Sequence, residues 1–241
     1  MKNDKSIPRG SAPIAVARTG VANLASVRAA FARLGRVTAP ASDPVAFARA
    51  PLAVLPGVGA FGPAMDALRA SELDLAVRER VEAGRPTLAI CLGFQLLLEG
   101  SEEAPGVPGL GLVPGVARRF GAGVPIPQLG WNRVVPDAGS GVGLVEEGWA
   151  CFANSYRLGS GEAALARAAG WRPASAEYGG AFVAALERGP SLACQFHPEL
   201  SGAWGAALLR RWLERADAAV ANARGTELEG RWPTAAAGGA R

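Results

Sequence analysis

Histidine occurs once in this chain of 241 residues, as His197, and lysine only as Lys2 and Lys5. One imidazole excludes the usual histidine-built zinc sites. The three cysteines, Cys91, Cys151 and Cys194, are too widely spaced for a Cys-x-x-Cys ligand pair or a disulfide framework. No metal and no cofactor is therefore expected. No apolar run approaches the ~18 residues of a membrane span. Met1–Pro8 carries lysines with no apolar stretch behind them, so no signal peptide is read and a cytoplasmic location is expected. The net charge of +4 comes mostly from arginines scattered singly, as at Arg28, Arg33, Arg36 and Arg49, or paired at Arg118-Arg119 and Arg210-Arg211. A nucleic-acid stripe would be denser and interleaved with aromatics. Neither nucleic acid nor membrane is an expected partner.

With 49% hydrophobic and 19% charged residues, the chain has the balance of a soluble globular protein, and its length suits one large core. Residues 1–12 read as a flexible tail. Residues 13–220 read as the folded domain. Residues 221–241, rich in Gly, Pro and small side chains, read as a disordered tail. No internal repeat or interdomain linker interrupts the middle.

The first half alternates strand and helix patterns. Pro13–Ala17, Leu52–Leu55 and Thr87–Ile90 read as strands. Leu24–Leu34, Leu73–Ala83 and Leu92–Glu99 read as helices. Such alternation predicts an α/β fold with a mostly parallel sheet flanked by helices. The second half is richer in strands, at Val116–Phe120, Trp131–Val135, Ala150–Arg157, Ala181–Leu186 and Leu192–Phe196. It closes with an amphipathic helix from about Gly202 to Ala218, whose Trp204, Leu208, Leu209 and Trp212 share a core-facing side.

Cys91 sits where strand Thr87–Ile90 turns sharply into a helix. This is the arrangement of a nucleophile elbow, which exposes a reactive side chain at the carboxyl edge of a sheet. The electropositive first turn of the helix suits a thiolate, and the Leu92 N–H is free to meet an oxyanion. A free cysteine commonly only fills space, and Cys151 and Cys194, inside apolar strands, read that way. His197 makes the difference for Cys91. If Cys–His chemistry occurs, His197 is its base, and Glu199 lies two residues on. In extended backbone both side chains point the same way, so Glu199 can accept the imidazole N–H and fix its tautomer. The loop Pro56-Gly57-Val58-Gly59-Ala60-Phe61-Gly62 follows a strand and precedes a helix. It lacks a phosphate-binding pattern, and a backbone N–H from it suits a second oxyanion donor.

At these residues the chain resembles the class I glutamine amidotransferases, and within them the glutaminase subunits of imidazole glycerol phosphate synthases. The resemblance runs from about Ile14 to Arg215. Its carriers are Ala22-Asn23-Leu24-Ala25-Ser26-Val27, Leu55 through Gly62, Cys91-Leu92-Gly93-Phe94-Gln95-Leu96-Leu97, and Ser101-Glu102-Glu103-Ala104-Pro105-Gly106. Further carriers are Gly130-Trp131-Asn132, Asn154-Ser155-Tyr156 and Gln195 through Gly202. The cysteine and histidine motifs mark the superfamily, whereas the Pro-Gly-Val-Gly loop and Gly-Trp-Asn point to this kind of subunit.

The resemblance implies a flavodoxin-like amidotransferase fold, with an antiparallel β region added to the parallel sheet. It implies that Cys91 attacks the side-chain amide of L-glutamine, with His197 as base and acid and Glu199 orienting it. Leu92 and either Val58 or Gly59 would supply oxyanion N–H groups, beside Gly57, with the loop rearranging on activation. Gln95 and Glu103 would hold the glutamine, Glu103 through its ammonium group, and Ser155 and Tyr156 would line the pocket. Ammonia would pass to a (β/α)8-barrel cyclase subunit in a heterodimer. That partner would form imidazole glycerol phosphate and aminoimidazole carboxamide ribonucleotide in histidine synthesis. The chain departs from the family pattern at Gln128 and Asn154, where relatives usually carry histidine, at Leu200, often lysine or arginine, and at Ala22 and Phe94. The alternatives are a glutaminase serving another synthase, a stand-alone Cys-His-Glu hydrolase, and a non-catalytic binding subunit.

Overall fold

The computed structural model describes residues 13–18, 24–137 and 143–229, with side chains in the last helix described to residue 223. The expected N-terminal tail and the Ala22-Asn23 pair lie outside the described residues. The chain forms β1 (Ile14–Ala17), α1 (Leu24–Arg33), β2 (Thr38–Ala41), α2 (Pro44–Arg49), β3 (Ala53–Leu55), α3 (Phe61–Ala70), α4 (Leu73–Glu82), β4 (Thr87–Ile90) and α5 (Leu92–Leu96). It continues through β5 (Gly100–Ser101), β6 (Val116–Arg119), β7 (Gln128–Pro136), β8 (Gly148–Asn154), β9 (Tyr156–Gly159), α6 (Ala163–Ala168), β10 (Arg172–Glu177), β11 (Ala181–Arg188), β12 (Ser191–Cys194) and α7 (Gly202–Glu229).

The main sheet has the order β2-β1-β3-β4-β12-β11-β10-β7-β8. Strands β2, β1, β3, β4 and β12 are parallel neighbours. From β12 onward, β11, β10, β7 and β8 pair antiparallel. The last strand in the chain thus lies at the centre, where the parallel half meets the antiparallel half. A side arm is made by β5 parallel to β6, and by β9 antiparallel to both β6 and β11.

The parallel strands alternate large and small apolar residues rather than apolar and polar ones. Ala15, Ala17, Ala53, Ala89 and Ala193 share one core with Phe47, Phe61, Met65, Val77 and Phe94 from helices α2 to α5. Ile14, Val16, Val54, Leu88, Ile90 and Leu192 share the other with Phe31 of α1 and with Leu208, Leu209 and Trp212 of α7. Both faces are covered, as a parallel sheet requires.

Several boundaries differ from the sequence reading. Strand β2 contains Pro40 and was not read as a strand; it sits at the edge of the sheet, where a proline costs no ladder bond. Helix α2 was also missed, although Asp43 caps Val45 N–H at 3.0 Å and Pro44 occupies its first turn. The sequence reading likewise passed over α6 and β10. Helix α5 stops at Leu96 rather than Glu99, because Leu96, Leu97, Leu98 and Glu99 give their carbonyls to the returning segment Gly109–Val113. The single strand expected over Ala150–Arg157 breaks at Ser155, where the chain leaves β8 for β9. Helix α7 runs from Gly202 to Glu229, beyond the end near Ala218 that the sequence pattern gives; alanines at 216, 218, 219, 221 and 223 favour its continuation. Residues 230–241 lie outside the described residues.

One buried charge ties the helical layer to the sheet. Arg80 of α4 is fully buried and donates to the carbonyls of Phe47 (2.8 Å), Ala48 (3.0 Å), Ala50 (2.6 Å) and Pro86 (2.8 Å). Burial, with Arg85 adding to it, lowers its pKa to about 10, still charged at neutral pH. The guanidinium gathers the end of α2 and the lead-in to β4. Arg80→Ala should lower the unfolding free energy by roughly 3–5 kcal/mol, because it leaves buried carbonyls without their donor. Urea denaturation measures this, and an unchanged midpoint would contradict it.

Candidate active site

Cys91 stands between β4 and α5 with φ 54° and ψ −108°, one of two non-glycine residues with positive φ among those described. Such a conformation costs on the order of 1–3 kcal/mol and persists only where the surroundings enforce it. Here the Cys91 N–H donates to the Cys194 carbonyl at 2.7 Å, extending the β4–β12 ladder to Cys91 itself. Gly93 makes the turn possible, since a Cβ there would run into the Leu55 carbonyl. Gly57 lets the loop lie on the elbow, since its Cβ would fall 2.7 Å from both the Gly93 nitrogen and the Leu92 Cβ.

His197 lies just beyond β12, the strand next to β4. Its Nδ1 is 2.8 Å from Glu199 Oε1, and its ring also hydrogen-bonds the Cys91 side chain. All three side chains are buried. The partnership of His197 with Glu199 is the expected one, but its backbone is not. Pro198–Leu200 forms a 3-10 turn rather than extended strand, and the turn folds the carboxylate back onto the ring. Desolvation pulls the His197 pKa down, and the hydrogen bonds to Cys91 and Glu199 outweigh it, raising the pKa from 6.5 to about 10. The imidazole is thus held as the cation beside the Cys91 side chain.

A cleft of about 310 Å³ opens over these groups. Val58, Gly59, Cys91, Leu92, Gln95 and His197 line one part of it. Glu103, Ser155 and Tyr156 line another, with Pro127, Leu129, Ala153 and Asn154. Gly57 lies behind this surface and Glu199 behind His197. Glu103 is anchored from one side, its Oε2 accepting the Phe61 N–H at 2.8 Å at the start of α3. The Leu92 N–H is not free, as the sequence reading had it: it donates to the Gly57 carbonyl at 3.3 Å. The correction has a simple cause, since a loop without side chains at 57 and 93 settles close enough for its carbonyl to reach the elbow.

Two functional neighbours escaped the sequence reading as individual residues. Ser201 Oγ accepts the Cys151 N–H at 2.9 Å and donates to the His197 carbonyl at 2.6 Å, while the His197 N–H donates to the Cys151 carbonyl at 2.9 Å. This pins the base to β8. Gln195, fully buried, reaches Cys91 and Gln95. Only its place before Phe196-His197 hinted at a role. Gln128 and Asn154 are opposite each other on β7 and β8, buried, each with a side-chain oxygen lacking a partner among the described residues. The other two cysteines stay outside the cleft. Burial, then the charges of Glu199 and Glu187, raise the Cys194 pKa well above the usual thiol range and keep it protonated. Among the described residues no group of three or more His, Cys, Asp or Glu is placed to hold a metal ion, and no helix is long and apolar enough to cross a membrane.

Comparison with known proteins gives a consistent picture. The family model described as glutamine amidotransferase class-I matches residues 33–216. The chain is 42% identical over 203 residues to the imidazole glycerol phosphate synthase subunit HisH of Symbiobacterium thermophilum, covering 83% of this chain and 93% of that one. It is 38% identical over 198 residues to the chloroplastic imidazole glycerol phosphate synthase hisHF of Arabidopsis thaliana, covering 80% of this chain but 33% of the plant protein. Among solved structures, a glutamine amidotransferase superposes with a TM-score of 0.64 at 20% identity, over 85% of this chain and 99% of that one, a likeness of fold.

Because the His197 pKa is raised on folding, its stabilisation is present in full below the unfolded value near 6.5 and is lost as pH rises through about 10. The difference in urea midpoint between wild type and His197→Gln should accordingly be largest below pH 6.5 and shrink as pH approaches 10. A pH-independent difference across that range would contradict the assignment.

Proposed function

The chain belongs to the class-I glutamine amidotransferases, among the HisH subunits of imidazole glycerol phosphate synthase, and on that premise we propose that it hydrolyses glutamine with Cys91, His197 and Glu199 and delivers the ammonia to a cyclase subunit. The observation that carries this reading is the buried Cys91–His197–Glu199 line at the floor of the cleft.

Cys91, its thiol proton passed to His197, attacks through sulfur at the side-chain carboxamide carbon of glutamine, and the carbonyl electrons move to oxygen. His197, held as the cation by Glu199, gives its proton to the amide nitrogen as the carbon–nitrogen bond breaks. Ammonia leaves and a thioester remains. Water, deprotonated by the now neutral His197, attacks the thioester, and the collapse of that second tetrahedral intermediate expels the sulfur and frees glutamate. Gln95 and Glu103 hold the amino-acid end of the substrate, Glu103 by its free carboxylate oxygen, and Ser155 and Tyr156 form the facing wall. The oxyanion is received by the Leu92 N–H with a loop N–H from Val58 or Gly59. Since the Gly57 carbonyl occupies the Leu92 donor, the 57–58 peptide has to turn before that hole is complete. This gives a resting state with low turnover and a place for a partner to act.

The partner reading is supported by the outward face of β7 and β8. Leu129 (72% exposed), Trp131 (56%) and Trp149 (58%) stand on it, and Leu200 (44%) ends the 3-10 turn after His197. Leu129 also lines the cleft, so a partner seated there would close the route by which ammonia leaves and keep it from water. The plant relative, of which this chain covers a third, has room in one polypeptide for such a partner domain. The partner is a (β/α)8-barrel cyclase, and the products are imidazole glycerol phosphate and aminoimidazole carboxamide ribonucleotide.

Glutamate release should be slow for the chain alone and rise when the cyclase and its ribonucleotide substrate are added. Cys91→Ser should reduce it to background under both conditions, and retained turnover would sink the assignment of the nucleophile. Trp131→Ala should weaken association with the cyclase about tenfold or more, as expected for an aromatic anchor, measured by titration calorimetry; unchanged affinity would place the partner elsewhere.

A further inference from the structure

Gln195 follows β12 directly, and its side chain is completely buried between the nucleophile and a substrate-facing residue. Its Oε1 accepts from Gln95 Nε2 at 3.0 Å, and its own Nε2 lies 3.8 Å from the Cys91 sulfur. Gln95 Nε2 also donates to the Tyr156 carbonyl at 3.1 Å. Asn154 Nδ2 donates to that same carbonyl at 3.0 Å.

The direction of this chain of amides is decided at one end. A backbone carbonyl only accepts, so Gln95 has to turn its NH2 group toward Tyr156. The second hydrogen of that NH2 then needs an acceptor, and Gln195 has to present its oxygen. That choice leaves the Gln195 NH2 group aimed at sulfur. Were either amide reversed, two donors or two acceptors would meet in a dry interior, where no water relieves the mismatch.

The consequence at sulfur is selective. Besides the His197 ring, itself backed by Glu199, Cys91 Sγ has one acceptor, the Ala153 carbonyl at 3.9 Å, and one further donor, Gln195 Nε2. The carbonyl suits the thiol, and the N–H suits the thiolate, since a donor to an anion is worth more than a donor to a neutral atom. At the other end both hydrogens of the Gln95 amide are spent, which leaves its oxygen as the group offered to the cleft it lines. That oxygen is an acceptor for an N–H of the substrate.

We propose that Gln195 is a positioning residue that couples the substrate-holding amide of Gln95 to the nucleophile, setting the orientation of the first and supplying an N–H to the thiolate of the second. This rests on the reading of Cys91 as the nucleophile. The Tyr156 carbonyl is the reference to which both are oriented, so substrate-side and sulfur-side hydrogen bonding are one linked system.

The test is alkylation of the full-length protein by iodoacetamide, quantified at Cys91 by peptide mass to separate it from Cys151, as a function of pH. Gln195→Met keeps the length and apolar volume of the side chain and removes both hydrogen bonds. Alkylation of Cys91 at neutral pH should slow about five- to tenfold, in the range of one lost charge-assisted hydrogen bond, with the whole profile displaced to higher pH. The KM for glutamine should rise as the Gln95 amide loses its orientation. Gln95→Met does not touch the sulfur, yet it frees the Gln195 amide to turn, so it should displace the alkylation profile in the same direction by a smaller amount. A wild-type alkylation profile in a folded Gln195→Met protein overturns the proposal. If that variant fails to fold, a wild-type profile in Gln95→Met overturns it instead. Persisting glutamine hydrolysis in Cys91→Ser would remove the underlying reading, whereas a wild-type profile in these variants with Cys91 still essential removes this proposal alone.

Discussion

The parallel pairing of β4 with β12 is the constraint on which the rest depends. Ile90 lies beside Cys194 in that ladder, and the next bond runs from the Cys91 N–H to the Cys194 carbonyl. Adjacent strands are about 4.8 Å apart, so residues leaving the carboxyl ends of both are brought within reach of each other without a long loop. Cys91 follows one strand and His197 follows shortly after the other. Because β12 is also where the sheet changes from parallel to antiparallel, the antiparallel strands that carry Gln128, Asn154 and the exposed tryptophans are hung from the same strand as the base.

Proximity of backbones sets the chemistry at this edge. Gly57 and Gly93 allow the loop and the elbow to touch, and that contact both supports the strained Cys91 and occupies the Leu92 N–H. Cys194 offers an internal contrast. It is a neighbour of Cys91 across the ladder, yet it is fully buried in the sheet, with Glu187 and Glu199 opposing its ionisation. The two residues differ in setting: the turn after β4 brings Cys91 to the wall of the cleft beside His197, whereas Cys194 stays within the sheet.

Much of the site was legible in the sequence because its signals are local. A cysteine between an apolar strand and a helix, a sole histidine with a carboxylate two residues on, and a glycine loop after a strand are each readable in a short window. The pairing of His197 with Glu199 was legible even though the backbone that makes it is a 3-10 turn. Elements with weaker local signals were missed: β2 carries a proline, and α2 and α6 span only six residues each. The end of α5 was misplaced because its carbonyls are claimed by a segment a dozen residues downstream, which no helical period can announce.

Other features depend on which strand lies beside which. Gln195 reads as an apolar-strand neighbour, and nothing near it in the chain reveals Gln95 and Cys91, about a hundred residues earlier. Only the position of β8 makes Ser201 the clamp on His197. Arg80 is buried only because the end of α2 and the lead-in to β4 close over it. The sequence by itself determined the family and the candidate residues Cys91, His197 and Glu199, because strand-to-turn junctions and short-range spacing carry that information. The tertiary structure decided the polarity of the amide chain, the occupied Leu92 donor and the direction in which the apolar β7–β8 face looks. Each of these is a hydrogen bond or an exposure between segments remote in sequence, and its outcome depends on strand order and close packing.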